Sequence, residues 1–186
     1  MSGPLLAYLG LVAAVAAERV LEVAIARRNL ASVRSRGAVM VEHGTLRAAV
    51  VVQVAWMAAC ALEAALLRRP LVPALALPML TLVAAAMALR YWAVLTLGDR
   101  WNLAIVVVPG EPPVTSGPYR IVRHPNYLAV IVEAYALPLV HGAWLTAAVL
   151  GTAIAVLTAR RIRIEEAALG GGDYERAFAG TPRLVP

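Results

Sequence analysis

Two short stretches of the sequence carry most of the side chains that can take part in chemistry. Residues 119–127 combine two tyrosines, two arginines, a histidine and an asparagine, and residues 160–166 combine three arginines with two glutamates. Because Pro125 is typical of a helix start, the free N–H groups there suit an anionic or carboxylate-bearing ligand. From composition alone, a belt of aromatic and arginine side chains at a membrane surface explains these residues equally well.

The segment from residue 98 to residue 124 is rich in turn-forming residues. Prolines at 109, 112, 113 and 118 restrict its backbone, and glycines at 98, 110 and 117 permit tight turns. Such a segment is either a folded loop or a linker. If it is folded, it brings residues 119–127 to the start of the next helix.

The composition indicates that the chain folds in a membrane. Of its 186 residues, 61% are hydrophobic and 15% charged, and the mean hydropathy is +0.75. These values exclude a disordered chain, a nucleic-acid-binding arm and a secreted disulfide scaffold. With a single cysteine and histidines far apart in sequence, no zinc-like ligand cluster is present and we expect no metal.

Long uncharged runs predict an all-α integral membrane protein of about five transmembrane helices. The first extends from the N-terminus to Arg27, the next two cover residues 48–67 and 70–97, and a hairpin of two begins at Pro125 and turns at His141-Gly142. We expect one membrane-embedded domain, residues 1–186. Residues 1–97 supply three N-terminal spans, and residues 98–186 supply a loop, the hairpin and a C-terminal segment that build a pocket.

The basic residues predict the orientation of the chain. All 17 are arginines: 14 fall on one predicted face, Arg68 and Arg69 on the other, and Arg19 within the first helix. The positive-inside rule makes the richer face cytoplasmic and leaves the N-terminus outside. The pocket would then face the cytoplasm at the inner or plasma membrane. Trp92, Trp101 and Trp144 fall near span ends, where we expect an aromatic belt.

The two chemistry-bearing stretches resemble the isoprenylcysteine carboxyl methyltransferase family. The resemblance rests on Gly-x-Tyr-x-x-x-Arg-His-Pro-x-Tyr at residues 117–127, the pair at 165–166, Tyr174 and Thr-Pro-Arg at 181–183. The N-terminal half is similar to the bacterial branch found beside type III polyketide synthases. The resemblance implies a membrane methyltransferase that uses S-adenosylmethionine without a Rossmann domain, and no glycine-rich dinucleotide fingerprint occurs in the sequence.

Carried over by position, the resemblance also implies the site residues. Arg161 matches the family's substrate-associated arginine and is the first catalytic candidate. Ala104 stands where family members have a polar contact, and Glu111 where they often have histidine. The implied cofactor contacts are Glu111, Pro112, Pro113, Val114, Tyr119, His124, Pro125, Asn126, Tyr127 and Glu165.

Glu133 is the second catalytic candidate. It lies eight residues beyond Pro125, about 12 Å into the membrane along a helix, where an ionisable group is costly and often functional. One hypothesis makes Glu133 a general base for a phenol or enol acceptor. The alternative makes it a structural partner of Arg90 or Arg19. A carboxylate acceptor needs no base, and Arg161 would orient it.

The leading functional hypothesis is an S-adenosylmethionine-dependent O-methyltransferase, with S-adenosylhomocysteine as product. Its acceptor would be a lipophilic molecule that enters from the bilayer, such as an alkylpyrone or alkylresorcinol. The alternatives are a protein-S-isoprenylcysteine-type carboxyl methyltransferase, a membrane NADPH-dependent reductase and a non-enzymatic lipid-binding protein. Besides this acceptor and membrane lipid we expect no nucleic-acid partner, and the oligomeric state stays open.

Overall fold

The computed structural model describes residues 2–42, 44–170 and 172–185. Within these ranges the chain forms six α-helices and two short strands. In chain order these are α1 (Gly3–Arg34), β1 (Val39–Glu42), α2 (Gly44–Leu66), α3 (Pro73–Leu97), β2 (Ile105–Val107), α4 (Pro125–Leu139), α5 (Trp144–Leu169) and α6 (Gly172–Ala177).

The predicted all-α membrane fold is confirmed. The helices α2, α3 and α5 are long and apolar enough to cross a membrane. The helix α1 is longer, with 32 residues, but carries Glu18, Arg19 and Glu22 in its middle. The helix α4 has only 15 residues, about 22 Å at helical rise. Three candidate spans are therefore found, and the count of about five stays a prediction.

Outward-facing side chains of these helices are apolar, as a lipid environment requires. Val20 of α1, Val51 of α2, Leu95 of α3 and Val156 of α5 each expose more than 60% of their surface. Exposure on this scale would be costly in water but not in hydrocarbon. Of the tryptophans expected in an aromatic belt, Trp92 and Trp144 are about half exposed, and their place in a belt stays a prediction. Trp101 is 2% exposed and belongs to the interior.

Two local features differ from the sequence prediction. The first helix continues seven residues beyond Arg27 to Arg34, because Asn29 and Val33 on its last turns are buried and Asn29 binds the carbonyl oxygens of Gly98 and Trp101. The strands β1 and β2 pair antiparallel, with Val39 opposite Val107. They join the end of α1 to the segment 98–124, which is therefore a folded loop and not a linker.

The helices α4 and α5 form the predicted hairpin. Gly142 takes a positive φ of 66° in the turn, a conformation that glycine adopts without strain. In α5, a π-helical turn spans Ala147–Gly151. A Cβ on Gly151 would lie 3.0 Å from the carbonyl oxygen of Ala134, so the two helices approach closely. The start of α4 and the end of α5 therefore meet at one end of the molecule.

Candidate active site

A cavity of about 460 Å³ lies where the end of α3, the start of α4 and the end of α5 meet. The loop 98–124 and α6 close it. Its volume is in the range of sites for small molecules, about 300–1,000 Å³. Nine of the ten predicted cofactor residues line it, and the tenth, Pro125, is buried at the start of α4. The nine are Glu111, Pro112, Pro113, Val114, Tyr119, His124, Asn126, Tyr127 and Glu165.

Gly117 sets the position of Tyr119 in the cavity wall. A 3-10 turn spans Gly117–Arg120, and Gly117 has a φ of 56°. A Cβ at this position would lie 2.5 Å from Thr96 Oγ1 of α3. Only glycine fits this close contact between the turn and α3, which explains why the motif begins with glycine.

Three aromatic side chains form one apolar compartment of the cavity. Tyr119, Tyr174 and Phe178 cluster with Leu97 of α3, and the rings of Tyr174 and Phe178 are 4.9 Å apart. Burial raises the pKa of Tyr119 well above its usual value and that of Tyr174 to about 12. Both phenols are therefore neutral near pH 7 and offer flat faces with a hydroxyl donor.

The C-terminal segment is fastened across the start of α4. The Arg123 N–H donates to the Pro182 carbonyl oxygen at 2.9 Å, and the His124 N–H donates to that of Arg183 at 3.1 Å. His124 Nε2 lies 3.2 Å from Glu166 Oε1, which also accepts from Arg183. The Thr-Pro-Arg ending and the Arg-His pair thus form one structural unit, in which the His124 ring holds Glu166.

Tyr127 and Glu165 form the polar wall where α4 faces α5. The Tyr127 hydroxyl donates to Glu165 Oε2 at 2.7 Å, which fixes the carboxylate at the cavity surface. Arg161 lies one turn earlier on α5 and is 7% exposed. Its Nη2 donates to the Leu103 carbonyl oxygen at 2.6 Å. Arg161 is not among the described residues that line the cavity; it supports the wall from behind.

Glu111 is held by two arginines at the front of the cavity. Its carboxylate contacts Arg36 at 2.8 Å and Arg100 at 3.2 Å. Arg36 also contacts Asp99 at 2.8 Å, and Arg100 donates to the Pro112 carbonyl oxygen at 2.9 Å. Glu111 thus lines the cavity with a carboxylate that already has two cationic partners, and these ion pairs fasten the proline-rich segment to Arg36 and Arg100.

Three polar atoms at the cavity are buried and have no hydrogen-bond partner in the described part of the chain. They are Trp101 Nε1, Asn102 Nδ2 and Asn126 Oδ1, and all three residues line the cavity. Such atoms need an explanation, since leaving a buried polar group unpaired costs about 1–3 kcal/mol. Two donors, one acceptor, the Glu165 carboxylate and aromatic walls fit the polar edges and flat ring of S-adenosylmethionine.

The second catalytic candidate, Glu133, lies in a buried ion cluster between α1, α3 and α4. Its Oε2 is 3.0 Å from both Arg19 and Arg90, and Glu22 contacts the same two arginines. Glu18 adds a contact of 2.9 Å with Arg19. The geometry agrees with the alternative in which Glu133 is a structural partner, and it pairs with both expected arginines. A role as base stays a prediction.

Sequence reasoning missed the cavity residues that carry no motif. Trp101 and Asn102 follow a span end, where a tryptophan is typical of a membrane interface. Their burial depends on Asn29 of α1, whose Nδ2 donates to the carbonyl oxygens of Gly98 at 3.1 Å and Trp101 at 2.8 Å. A contact across 72 residues leaves no periodic signal in the sequence.

Comparison with known proteins agrees with the site geometry. Residues 79–170 match the model of the isoprenylcysteine carboxyl methyltransferase family. A protein of Bacillus subtilis (strain 168), described as uncharacterized protein YpbQ, is 32% identical over 159 residues. The match covers 86% of this chain and 94% of that protein. The range matched by the family model runs from within α3 past the end of α5 and includes most of the cavity wall.

Proposed function

The chain belongs to the isoprenylcysteine carboxyl methyltransferase family of membrane methyltransferases, and we propose that it is an S-adenosylmethionine-dependent O-methyltransferase of lipophilic small molecules. One observation carries the proposal. Nine residues that the family motif assigns to the cofactor, drawn from the loop 98–124, α4 and α5, line a single cavity of suitable volume. A scaffold or lipid-binding protein has no need for this convergence.

The cavity residues would bind and orient the cofactor. When bound, S-adenosylmethionine supplies an electrophilic methyl group on a sulfonium. Tyr119 and Tyr174 offer faces for a flat ring or a cation. Glu165, fixed by the Tyr127 hydroxyl, accepts hydrogen bonds from hydroxyl or ammonium groups. Methyl transfer is a displacement at carbon that needs the reactants in near-attack geometry and water kept out of the site. The segment around Glu111 would help to exclude that water.

The acceptor would reach the site from the bilayer. Arg161 is a catalytic candidate by its place in the motif, and its guanidinium would orient the acceptor oxygen toward the cofactor in the cavity. A carboxylate acceptor is already ionised. A phenol or enol acceptor would also have to give up its hydroxyl proton to water. We propose a hydroxyl-bearing lipid such as an alkylresorcinol or alkylpyrone as the acceptor.

Calorimetry of S-adenosylhomocysteine with the detergent-solubilised protein tests the cofactor. We expect binding, and we expect Glu165→Ala to weaken it by roughly tenfold or more, since a hydrogen bond to a charged group contributes about 1.5–3 kcal/mol. The control is Glu175→Ala, an exposed residue of α6 outside the cavity, which should bind as the wild type does. If NADPH binds and S-adenosylhomocysteine does not, the protein is a reductase. If neither ligand binds, the lipid-binding alternative applies.

Labelled S-adenosylmethionine offered with different acceptors tests the substrate class. We expect label on an alkylresorcinol or alkylpyrone presented in detergent or liposomes. If label appears on a farnesylcysteine analogue alone, the acceptor is an isoprenylcysteine-type carboxylate and not the proposed lipid. The Glu165→Ala variant serves as the control, because it should transfer clearly less label than the wild type at a cofactor concentration near the dissociation constant of the wild type.

A further inference from the structure

Trp101 and Asn102 form a pair of hydrogen-bond donors that no family motif assigns. Trp101 is 2% exposed, and the atoms Trp101 Nε1 and Asn102 Nδ2 are both buried without a partner in the described chain. Asn29 holds the backbone at Trp101 by a bond of 2.8 Å to its carbonyl oxygen. The indole is therefore fixed in place with its N–H unused, and both residues line the cavity.

The donor pair follows Leu97 of the aromatic compartment closely in the chain and lines the same cavity. Leu97, which packs against Tyr119, Tyr174 and Phe178, precedes Trp101 by a single 3-10 turn closed by the Trp101 N–H and the Gly98 carbonyl oxygen at 3.2 Å.

The chemistry of the pair selects the part of the ligand it contacts. An indole N–H can only donate, so Trp101 requires an acceptor atom on the ligand. A flat ring that stacks on tyrosine and phenylalanine and carries acceptor nitrogens on its edge meets both requirements. We propose that Trp101 Nε1 and Asn102 Nδ2 bind acceptor nitrogens on the edge of the cofactor's adenine. This inference rests on the proposed function.

The same pair accounts for a departure from the family pattern. Where the resemblance leads one to expect a polar cofactor contact, this chain has Ala104, and both Ala104 and Asn102 line the cavity. The two residues are separated by Leu103, and the chain bends at Leu103 and Ala104 just before β2, so that Asn102 and Ala104 come to line the same cavity. Asn102 therefore supplies the hydrogen-bonding group that Ala104 lacks.

Two conservative variants test the proposal by calorimetry in detergent. Trp101→Phe removes the N–H and retains an aromatic ring, and Asn102→Leu removes the amide at similar volume. The ligands are S-adenosylhomocysteine and 5′-deoxy-5′-methylthioadenosine, which lacks the amino-acid end. We expect each variant to bind both ligands with an affinity lower by roughly five- to tenfold, which is the effect of losing one buried hydrogen bond. Trp144→Phe, about half exposed at the start of α5, is the control and should change neither affinity.

A ligand series identifies the atom that Trp101 contacts. The affinities of the wild type and of Trp101→Phe are measured for analogues of S-adenosylhomocysteine in which C–H replaces one ring nitrogen at a time. The analogue that lacks the partner nitrogen should lose affinity for the wild type and show no further loss for the variant, as in a double-mutant cycle.

The possible outcomes separate this proposal from the proposed function. If a variant loses affinity for S-adenosylhomocysteine but not for methylthioadenosine, the donors bind the amino-acid end and the adenine assignment is overturned. Unchanged affinity in both folded variants overturns it as well. If the wild type itself fails to bind S-adenosylhomocysteine, it is the proposed function that fails. Should Trp101→Phe not fold, as judged by thermal unfolding, Asn102→Leu decides.

Discussion

Glu133 illustrates how one buried side chain can have either a structural or a catalytic role. It is 2% exposed, and its carboxylate is bound by Arg19 and Arg90, which come from two other helices. Both carboxylate oxygens accept hydrogen bonds from Arg19, and one of them also accepts from Arg90, so the carboxylate is engaged in the ion cluster, and Glu133 is not among the described residues that line the cavity. On α4 it lies seven residues beyond Asn126 of the cavity wall, about 10 Å along the helix axis.

The substitution Glu133→Gln should therefore lower stability and leave methyl transfer intact. Removing one partner of a buried ion pair costs about 3–5 kcal/mol, because Arg19 and Arg90 would then share Glu22 and Glu18 alone. We expect a lower thermal unfolding temperature in detergent, an unchanged affinity for S-adenosylhomocysteine and an unchanged turnover number for the folded fraction.

Another buried carboxylate provides the control for this experiment. Glu63 of α2 accepts hydrogen bonds from the Thr146 N–H at 2.7 Å and the Leu145 N–H at 3.1 Å, both at the start of α5. It is not among the described residues that line the cavity. Glu63→Gln should likewise affect only stability. If Glu133→Gln instead lowers the turnover of a phenolic acceptor, spares that of a carboxylate acceptor and shifts the pH profile, Glu133 is the base.

For single residues, the sequence motif identified those site residues that stand in its two blocks. Tyr127 and Glu165 lie in the two matching blocks, and the structure joins them by a hydrogen bond of 2.7 Å. Trp101 and Asn102 could not be found in this way, because what makes them notable is a buried donor without a partner. That property exists only after α1 and the loop have come together.

Among the elements, the long helices were predictable and the short strands were not. Uncharged runs indicate α2 and α3 directly, since crossing a membrane requires about 20 apolar residues. The strands β1 and β2 have four and three residues. Their pairing joins Val39 to Val107, positions 68 apart. A three-residue run such as Ile-Val-Val carries no signal of its partner, so the sequence could not reveal the sheet.

The turn at Gly117 gives a prediction about the contact between the loop and α3. Gly117→Ala would place a methyl group 2.5 Å from Thr96 Oγ1 and would impose an unfavourable backbone conformation at a φ of 56°. Overpacking costs about 1–3 kcal/mol, and alanine at positive φ about 1 kcal/mol more. We expect a clear fall in thermal stability and a weaker affinity for S-adenosylhomocysteine.

Gly37 provides a matched control for this substitution. It has a φ of 77° in the turn after α1, and a Cβ there would meet nothing within 4 Å. Gly37→Ala therefore bears only the backbone strain and should lose less stability. Combining Gly117→Ala with Thr96→Ala removes the two nearest atoms and leaves Trp92 Nε1 at 3.1 Å, so it should restore part of the loss. If Gly117→Ala and Gly37→Ala behave alike, the contact with Thr96 has no energetic role.

On the scale of the whole molecule, the structure divides the loops into two ends. The turn that contains Arg68 and Arg69 lies beside the hairpin turn, because a Cβ on Gly142 would be 3.4 Å from the Pro70 carbonyl oxygen. The end of α1 and the loop 98–124 meet at the cavity through Arg36 and Glu111. The first end carries few arginines and the cavity end carries many, which is the asymmetry on which the predicted orientation depends.

This asymmetry predicts that the cavity opens to the cytoplasm. Arg90 belongs to the buried ion cluster and not to this face, which leaves 13 of the 14 arginines against two. Each arginine near an anionic cytoplasmic leaflet contributes roughly 1 kcal/mol, so this difference should favour one orientation strongly. The test is labelling of introduced cysteines with a membrane-impermeant maleimide. Cys60 is the sole cysteine and is fully buried, so Cys60→Ala provides a background without reactive thiols.

Two exposed positions report the two ends in that background. Leu67→Cys, beside the arginine-poor turn, should react in intact spheroplasts, and Ser35→Cys, at the end of α1, should react only after the membrane is permeabilised. Neither side chain lines the cavity, so binding of S-adenosylhomocysteine by both variants shows that the fold is retained. The reverse labelling pattern would place the cavity outside the cytoplasm, where S-adenosylmethionine made in the cell would not reach it.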